Sequence, residues 1–144
     1  LSFCDSSNFT AGSKPKTATI NNFNCGFSIC FDCRFPELYR IYAQQKCDII
    51  FIPSSFTKST GTKHWHTLCK SRAIENQAYV IAPNQCGIGG NGADTYGHSL
   101  IIDPFGEIIA EGSATRPEVI HATLNMSRLK FIRDLFPLLN ARKL

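Results

Sequence analysis

The sequence predicts an α/β fold with α+β character and a mixed sheet. Three observations carry this reading. Two apolar runs, 25–31 and 48–52, flank a stretch of helical period; a longer helical stretch then leads to a third run, 78–82; and short segments follow around Asp103-Pro104-Phe105-Gly106. A run-helix-run unit places its strands parallel through a crossover, whereas a tight turn makes its neighbours antiparallel. The sheet should therefore hold both kinds of pairing.

Residues 1–20 are rich in Ser, Thr, Asn and Lys, with Gly12 and Pro15, and read as a loop followed by a short strand at Thr17-Ala18-Thr19-Ile20. The nearly continuous apolar run 25–31 fits a strand buried on both faces. Pro36 and Glu37 suit a first helical turn, and Leu38, Ile41 and Tyr42 recur at helical spacing, so a helix should run from Pro36 to about Lys46. Residues 48–52 then form a second buried strand, parallel to the first. Residues 53–61 read as a loop at its carboxyl end, the edge where open α/β sheets place ligands. A second helix carries Trp65, Leu68, Cys69 and Ala73 on one face and runs to about Gln77, with His64 and Trp65 at its start.

Residues 78–82 are a third strand, closed by Pro83. The glycine-rich stretch 84–96 contains Gly87-Ile88-Gly89-Gly90-Asn91-Gly92, a formal G-x-G-x-x-G. A dinucleotide fingerprint must open a helix, and here the chain continues into a strand, so a mobile loop near the site is the better reading. Residues 97–102 and 107–110 form a hairpin over Asp103-Pro104-Phe105-Gly106, with Pro and Gly where a type I turn prefers them. Val119, His121 and Thr123 alternate as in a further strand, and Leu129, Ile132 and Leu135 or Phe136 mark a last short helix ended by Pro137, followed by a tail. There is no internal repeat or low-complexity segment.

The 144 residues amount to one domain, and 43% hydrophobic residues with 11% aromatics suffice for a core. A net charge of +4, from 15 basic against 11 acidic residues, is scattered apart from Arg142-Lys143, so no nucleic-acid stripe is expected. Neither a membrane-spanning run nor a secretory signal pattern is visible. Seven cysteines are an odd number without the spacing of a disulfide scaffold, which points to a reducing, cytoplasmic setting. Asn8-Phe9-Thr10 and Asn125-Met126-Ser127 then read as chance sequons. The opening at Leu1, in what looks like a strand, suggests a truncated chain.

The chemistry centres on Cys30. An apolar run ends in this cysteine shortly before a helix start, where backbone amides carry partial positive charge and Arg34 adds a full one, a setting that favours an anionic nucleophile. Cys30-Phe31-Asp32-Cys33 also reads as C-x-x-C at a helix start, as in a thiol redox pair. The four histidines, His64, His66, His98 and His121, do not pair with cysteines at ligand spacing, so no metal and no cofactor are expected. Arg72 with Glu75, and Arg34 with Glu37, have the three-residue spacing of structural ion pairs.

The stretch Gly26-Phe27-Ser28-Ile29-Cys30-Phe31-Asp32-Cys33-Arg34-Phe35-Pro36-Glu37-Leu38 resembles the nucleophile signature of the nitrilase superfamily of carbon-nitrogen hydrolases. His64-Trp65, Ser71 through Val80, Tyr96-Gly97-His98-Ser99 and Asp103-Pro104-Phe105-Gly106 continue the resemblance over most of the chain, most like the ω-amidases and deaminated-glutathione amidases. It implies a four-layer α-β-β-α sandwich, of which residues 1–144 would be the C-terminal part, contributing mainly one sheet. It also implies an amidase that cleaves a small-molecule linear amide through a thioester at Cys30, without a cofactor, in a homo-oligomer. The Phe31 backbone amide would be an oxyanion donor. By position, His64 at the helix start reads either as a pocket residue or as a helix cap, and Gln85 after the third strand either as a pocket residue or as part of a loop. The resemblance sets Asp5 where relatives carry a supporting glutamate. The glutamate base and the lysine of the family match no residue of this chain. A catalytically incomplete piece is therefore the alternative.

Overall fold

The computed structural model describes residues 9–89 and 92–143. Its first strand, β1 (Lys16–Ile20), turns through Asn21 and Asn22, both at positive φ, into β2 (Phe23–Phe27). Two left-handed residues give a turn whose twist matches that of the flanking strands. A 3₁₀ turn (Cys30–Arg34) follows, then α1 (Pro36–Gln44) and β3 (Ile49–Phe51). Helix α2 (Lys58–Asn76) leads to β4 (Tyr79–Ala82), and β5 (Cys86–Ile88) with β6 (Asp94–Tyr96) makes a separate ribbon. The hairpin β7 (Leu100–Ile102) and β8 (Ile108–Glu111) precedes α3 (Met126–Leu135) and the short α4 (Leu138–Ala141).

The main sheet runs in the order β1-β2-β3-β4-β7-β8. β2, β3 and β4 are parallel, as their intervening helices require, and the remaining pairs are antiparallel. Both the β-α-β unit and the D-P-F-G hairpin are thus as the sequence predicts, and the mixed sheet is observed. Alternation along the strands splits the core in two. Ile50, Val80 and Leu100 pack with Tyr39, Tyr42 and Trp65 of α1 and α2, while Cys25, Ile49 and Tyr79 on the other face meet Leu129 of α3.

Five expectations are corrected. The first apolar run is strand only to Phe27, because the 3₁₀ turn takes over at Cys30, and Phe27 is 37% exposed rather than buried on both faces. Helix α2 starts at Lys58, inside the expected loop, so His64 lies in its second turn and not at its start. The glycine-rich stretch is a paired ribbon, with Cys86 opposite Tyr96 and Ile88 opposite Asp94; Gly90 and Asn91 lie outside the described residues. Residues 119–123 form no strand, since alternation supplies a pattern but not a ladder partner, and Val119 is 88% exposed. The expected tail contains α4. No helix among the described residues is long and apolar enough to cross a membrane.

Candidate active site

Cys30 stands at the carboxyl end of β2, where the chain leaves the sheet. Its amide donates to the Pro53 carbonyl at 2.9 Å, which joins this turn to the carboxyl end of β3. Asp32 closes the turn from within, its Oδ2 accepting from the Ile29 amide at 2.8 Å while its own amide donates to the Ile29 carbonyl. The consequence is a φ of 46° at Cys30, left-handed backbone that costs a side-chain-bearing residue on the order of 1–3 kcal/mol. Such strain persists only where surrounding bonds enforce it. Phe31 is 64% exposed, and its amide meets no acceptor among the described residues, as expected for an early amide of a helical turn.

The second cysteine of C-x-x-C has a different environment. Cys33 is fully buried, and desolvation pushes its thiol up to about 11 despite the nearby positive charge of Arg34. Cys30 and Cys33 are both free thiols. Of the two, Cys30 is the partly exposed thiol and Cys33 the enclosed one that holds its proton. Burial likewise raises the thiols of Cys25, Cys47 and Cys69, so these are core residues.

Positively charged side chains hold the turn from behind. Arg72 of α2 is buried, donates to the Cys33 carbonyl at 3.0 Å and pairs with Glu75 at 2.5 Å, as its spacing predicts. Glu75 also pairs with Arg40 of α1 at 2.9 Å. The expected Arg34–Glu37 pair is not among the ion pairs of the described residues. Arg34 belongs to the 3₁₀ turn and Glu37 to α1, so their spacing does not put them on one helix face. Instead the Arg34 guanidinium lies over the Phe56 ring at 5.0 Å and meets His64 Nδ1 at 3.2 Å. His64 is thereby linked to the Cys30 turn.

Gln85 belongs to the adjoining wall. Its amide donates to the Ser54 carbonyl at 2.9 Å, and its Oε1 accepts from the Ser55 hydroxyl at 3.1 Å. Gln85 also lines a cleft of about 280 Å³ with Asn84, Cys86, Ser99, Arg116 and Glu118; Cys30 and His64 are not part of that cleft. Asn84 ties this edge together, accepting from the Phe56 amide at 2.9 Å and donating to the Gly97 carbonyl at 2.6 Å. Asp5 lies outside the described residues. Cys30, Phe31, His64 and Gln85 therefore share the carboxyl edge of the parallel strands, with His64 joined through Arg34 and Gln85 through residues 53–55.

Sequence reasoning does not find one further cluster. His66 Nε2 and His98 Nδ1 approach the same Glu111 oxygen, at 3.0 and 2.6 Å. Burial works to raise the Glu111 carboxyl, but the hydrogen bonds from His66 and His98 prevail and hold it below its ordinary value. These residues lie on α2, before β7 and at the end of β8, so no local spacing signals them.

Comparison with known proteins agrees with this architecture. The carbon-nitrogen hydrolase family profile matches residues 3–134. A deaminated glutathione amidase of Synechocystis sp. (strain PCC 6803 / GT-S) is 44% identical over 97% of this chain and 52% of its own length. An omega-amidase of Saccharomyces cerevisiae is 35% identical over 99% of this chain and 49% of its own. The chain thus spans about half the length of the curated relatives it matches. The crystal structure of a Saccharomyces cerevisiae protein from branch 10 of the nitrilase superfamily superposes with a TM-score of 0.87 at 34% identity, covering 96% of this chain and 51% of that one. With sequence and architecture in agreement, the chain belongs to the carbon-nitrogen hydrolase family.

Proposed function

We propose that the protein is an amidase that cleaves a small linear amide through a thioester on Cys30. The observation that carries this reading is the left-handed Cys30 at a strand-to-turn junction, beside a Phe31 amide that meets no acceptor among the described residues. The names of the amidase relatives supply the reaction class. In this mechanism the Cys30 sulfur attacks the amide carbonyl carbon, and the developing oxyanion accepts from the Phe31 N–H. Collapse of the tetrahedral species breaks the C–N bond and releases ammonia or an amine that has taken a proton from the general acid. Water, deprotonated by the same group acting as base, then hydrolyses the thioester to the free acid. The base and a cation for the oxyanion come, in this proposal, from a glutamate and a lysine outside this chain, with residues 1–144 forming the C-terminal part of one hydrolase domain.

His64 and Gln85 are proposed as pocket residues, and Asp5 as a shorter stand-in for a supporting glutamate. The protein is further proposed to be a cytoplasmic homo-oligomer. Exposed Phe27 at the sheet and exposed Ile29 and Phe31 at the turn support a surface that is covered on assembly.

The test is ammonia release by the full-length protein from ω-amides of glutaramate type and from a deaminated glutathione analogue. Turnover lost in Cys30→Ala and retained in Cys33→Ser supports the proposal; turnover intact in Cys30→Ala overturns it. Hydrolysis by residues 1–144 alone would overturn the assignment of base and cation to residues outside them.

A further inference from the structure

We propose that His66, His98 and Glu111 form a binding site for a first-row divalent cation of the zinc type, separate from the Cys30 site. The sequence reading expects no metal, because these histidines lack cysteine partners at ligand spacing. Folding changes the donor set. His66 Nε2, His98 Nδ1 and a Glu111 oxygen all lie within 4.8 Å of one another, although Glu111 is 45 residues from His66 and 13 from His98. Two imidazoles and a carboxylate are the nitrogen and oxygen donors that zinc-type cations take.

The backbone that carries His98 and the ring packed against both histidines are fixed before any cation arrives. His98 sits at φ 54°, its amide donating to the Ser113 carbonyl at 3.1 Å and its carbonyl accepting from Trp65 Nε1 at 2.7 Å. The Tyr96 ring packs on His98 at 4.5 Å and on His66 at 5.9 Å, and it is itself wedged against Gly61 of α2. Bonds of 2.0–2.1 Å in tetrahedral geometry set ligand atoms about 3.3 Å apart, so side-chain rotation alone must close the widest gap. The side chains are 31%, 27% and 36% exposed, which leaves that freedom and a path for water as a fourth ligand. His64 and His66, two positions apart on α2, point about 200° apart around it, so His64 faces the Cys30 turn while His66 faces β8. A cation here fastens α2 to the β7–β8 hairpin.

The full-length protein is titrated with Zn²⁺, and with Co²⁺ as a spectroscopic substitute, in a Cys30→Ala background that removes the half-buried thiol of the proposed site. One equivalent should bind, raise the melting temperature by mass action and give Co²⁺ visible ligand-field absorption without a thiolate charge-transfer band. Glu111→Gln and His66→Gln, each folded by circular dichroism, should each weaken binding by at least about tenfold. Binding unchanged in Glu111→Gln would place the cation elsewhere and overturn the proposal. Absence of stoichiometric binding in the parent would also overturn it, leaving a His–Glu–His ion pair only.

Discussion

At the amino ends of β3 and β4 the fold is tied by contacts spanning most of its length. Arg133 of α3 donates to Asp48 at 3.0 Å across 85 positions, and also to the Cys47 and Gln77 carbonyls. Arg128 pairs with the fully buried Asp103, whose other oxygen accepts from the Phe105 and Glu107 amides. At the opposite edge, after β2, stand a left-handed Cys30, a Phe31 amide that meets no acceptor among the described residues and an exposed Phe31 ring. One end is tied by side-chain bonds to charged groups; the other presents a backbone donor beside a partly buried thiol. Left-handed backbone occurs at both ends, at Asn21, Asn22, Lys46 and Gln77 before the strands and at Cys30 after β2, so what distinguishes the carboxyl end is the cysteine and the amide beside it, while the opposite end is fastened by long-range side-chain bonds.

The largest effect that would break this comparison is on activity. With Cys30 as the proposed nucleophile, Cys30→Ala should lower amide turnover at least about 10⁴-fold while shifting the melting temperature less than loss of a fully buried thiol, because Cys30 is only partly buried at the margin of the core. Cys33→Ala should do the reverse, costing roughly 1 kcal/mol or more of stability and leaving most of the turnover, since the Cys33 thiol, raised to about 11, contributes volume and not nucleophilicity. At the amino end, Asp103→Ala strands two amides and Arg128 and should cost about 3 kcal/mol in urea unfolding without a specific loss of turnover.

A smaller effect sharpens the boundary between α2 and the ribbon. A Cβ added at Gly61 would lie 2.3 Å from the Tyr96 ring. Gly61→Ala should therefore cost about 1–2 kcal/mol despite its better helix propensity, and amide exchange should quicken in residues 86–96. The smallest effect is one of pH. Glu111 is held below its ordinary value of 4.5, so in metal-free buffer its pairing stabilises the fold fully above about that pH and less as the pH falls through the lower folded value. Melting temperature against pH should therefore fall less steeply between about pH 5 and 3 in Glu111→Gln than in the parent.

The parts legible in the sequence were those with a local cause. Pro36 opens α1, apolar runs on either side of it make parallel neighbours, and Asp103-Pro104-Phe105-Gly106 closes a hairpin. The Cys30 turn was legible because strand end, cysteine and helix start are contiguous. Partners fixed by tertiary packing were not legible. Arg34 meets His64 rather than Glu37, residues 86–88 pair with 94–96 while Tyr96 lies against Gly61, and residues 119–123 alternate without forming a strand. The same limit hid His66, His98 and Glu111, which only the approach of α2 to the β7–β8 hairpin brings together.

The account rests on Cys30 as the nucleophile, and trapping the covalent intermediate tests it most directly. The full-length protein, incubated with a slowly hydrolysed amide and quenched in acid, is digested and its peptides are weighed by mass spectrometry. The account predicts a mass increase equal to the acyl group on the peptide containing Cys30, labile to hydroxylamine as a thioester is. Acylation of Cys86 or another residue with Cys30 unmodified, while the acid product accumulates, would contradict it.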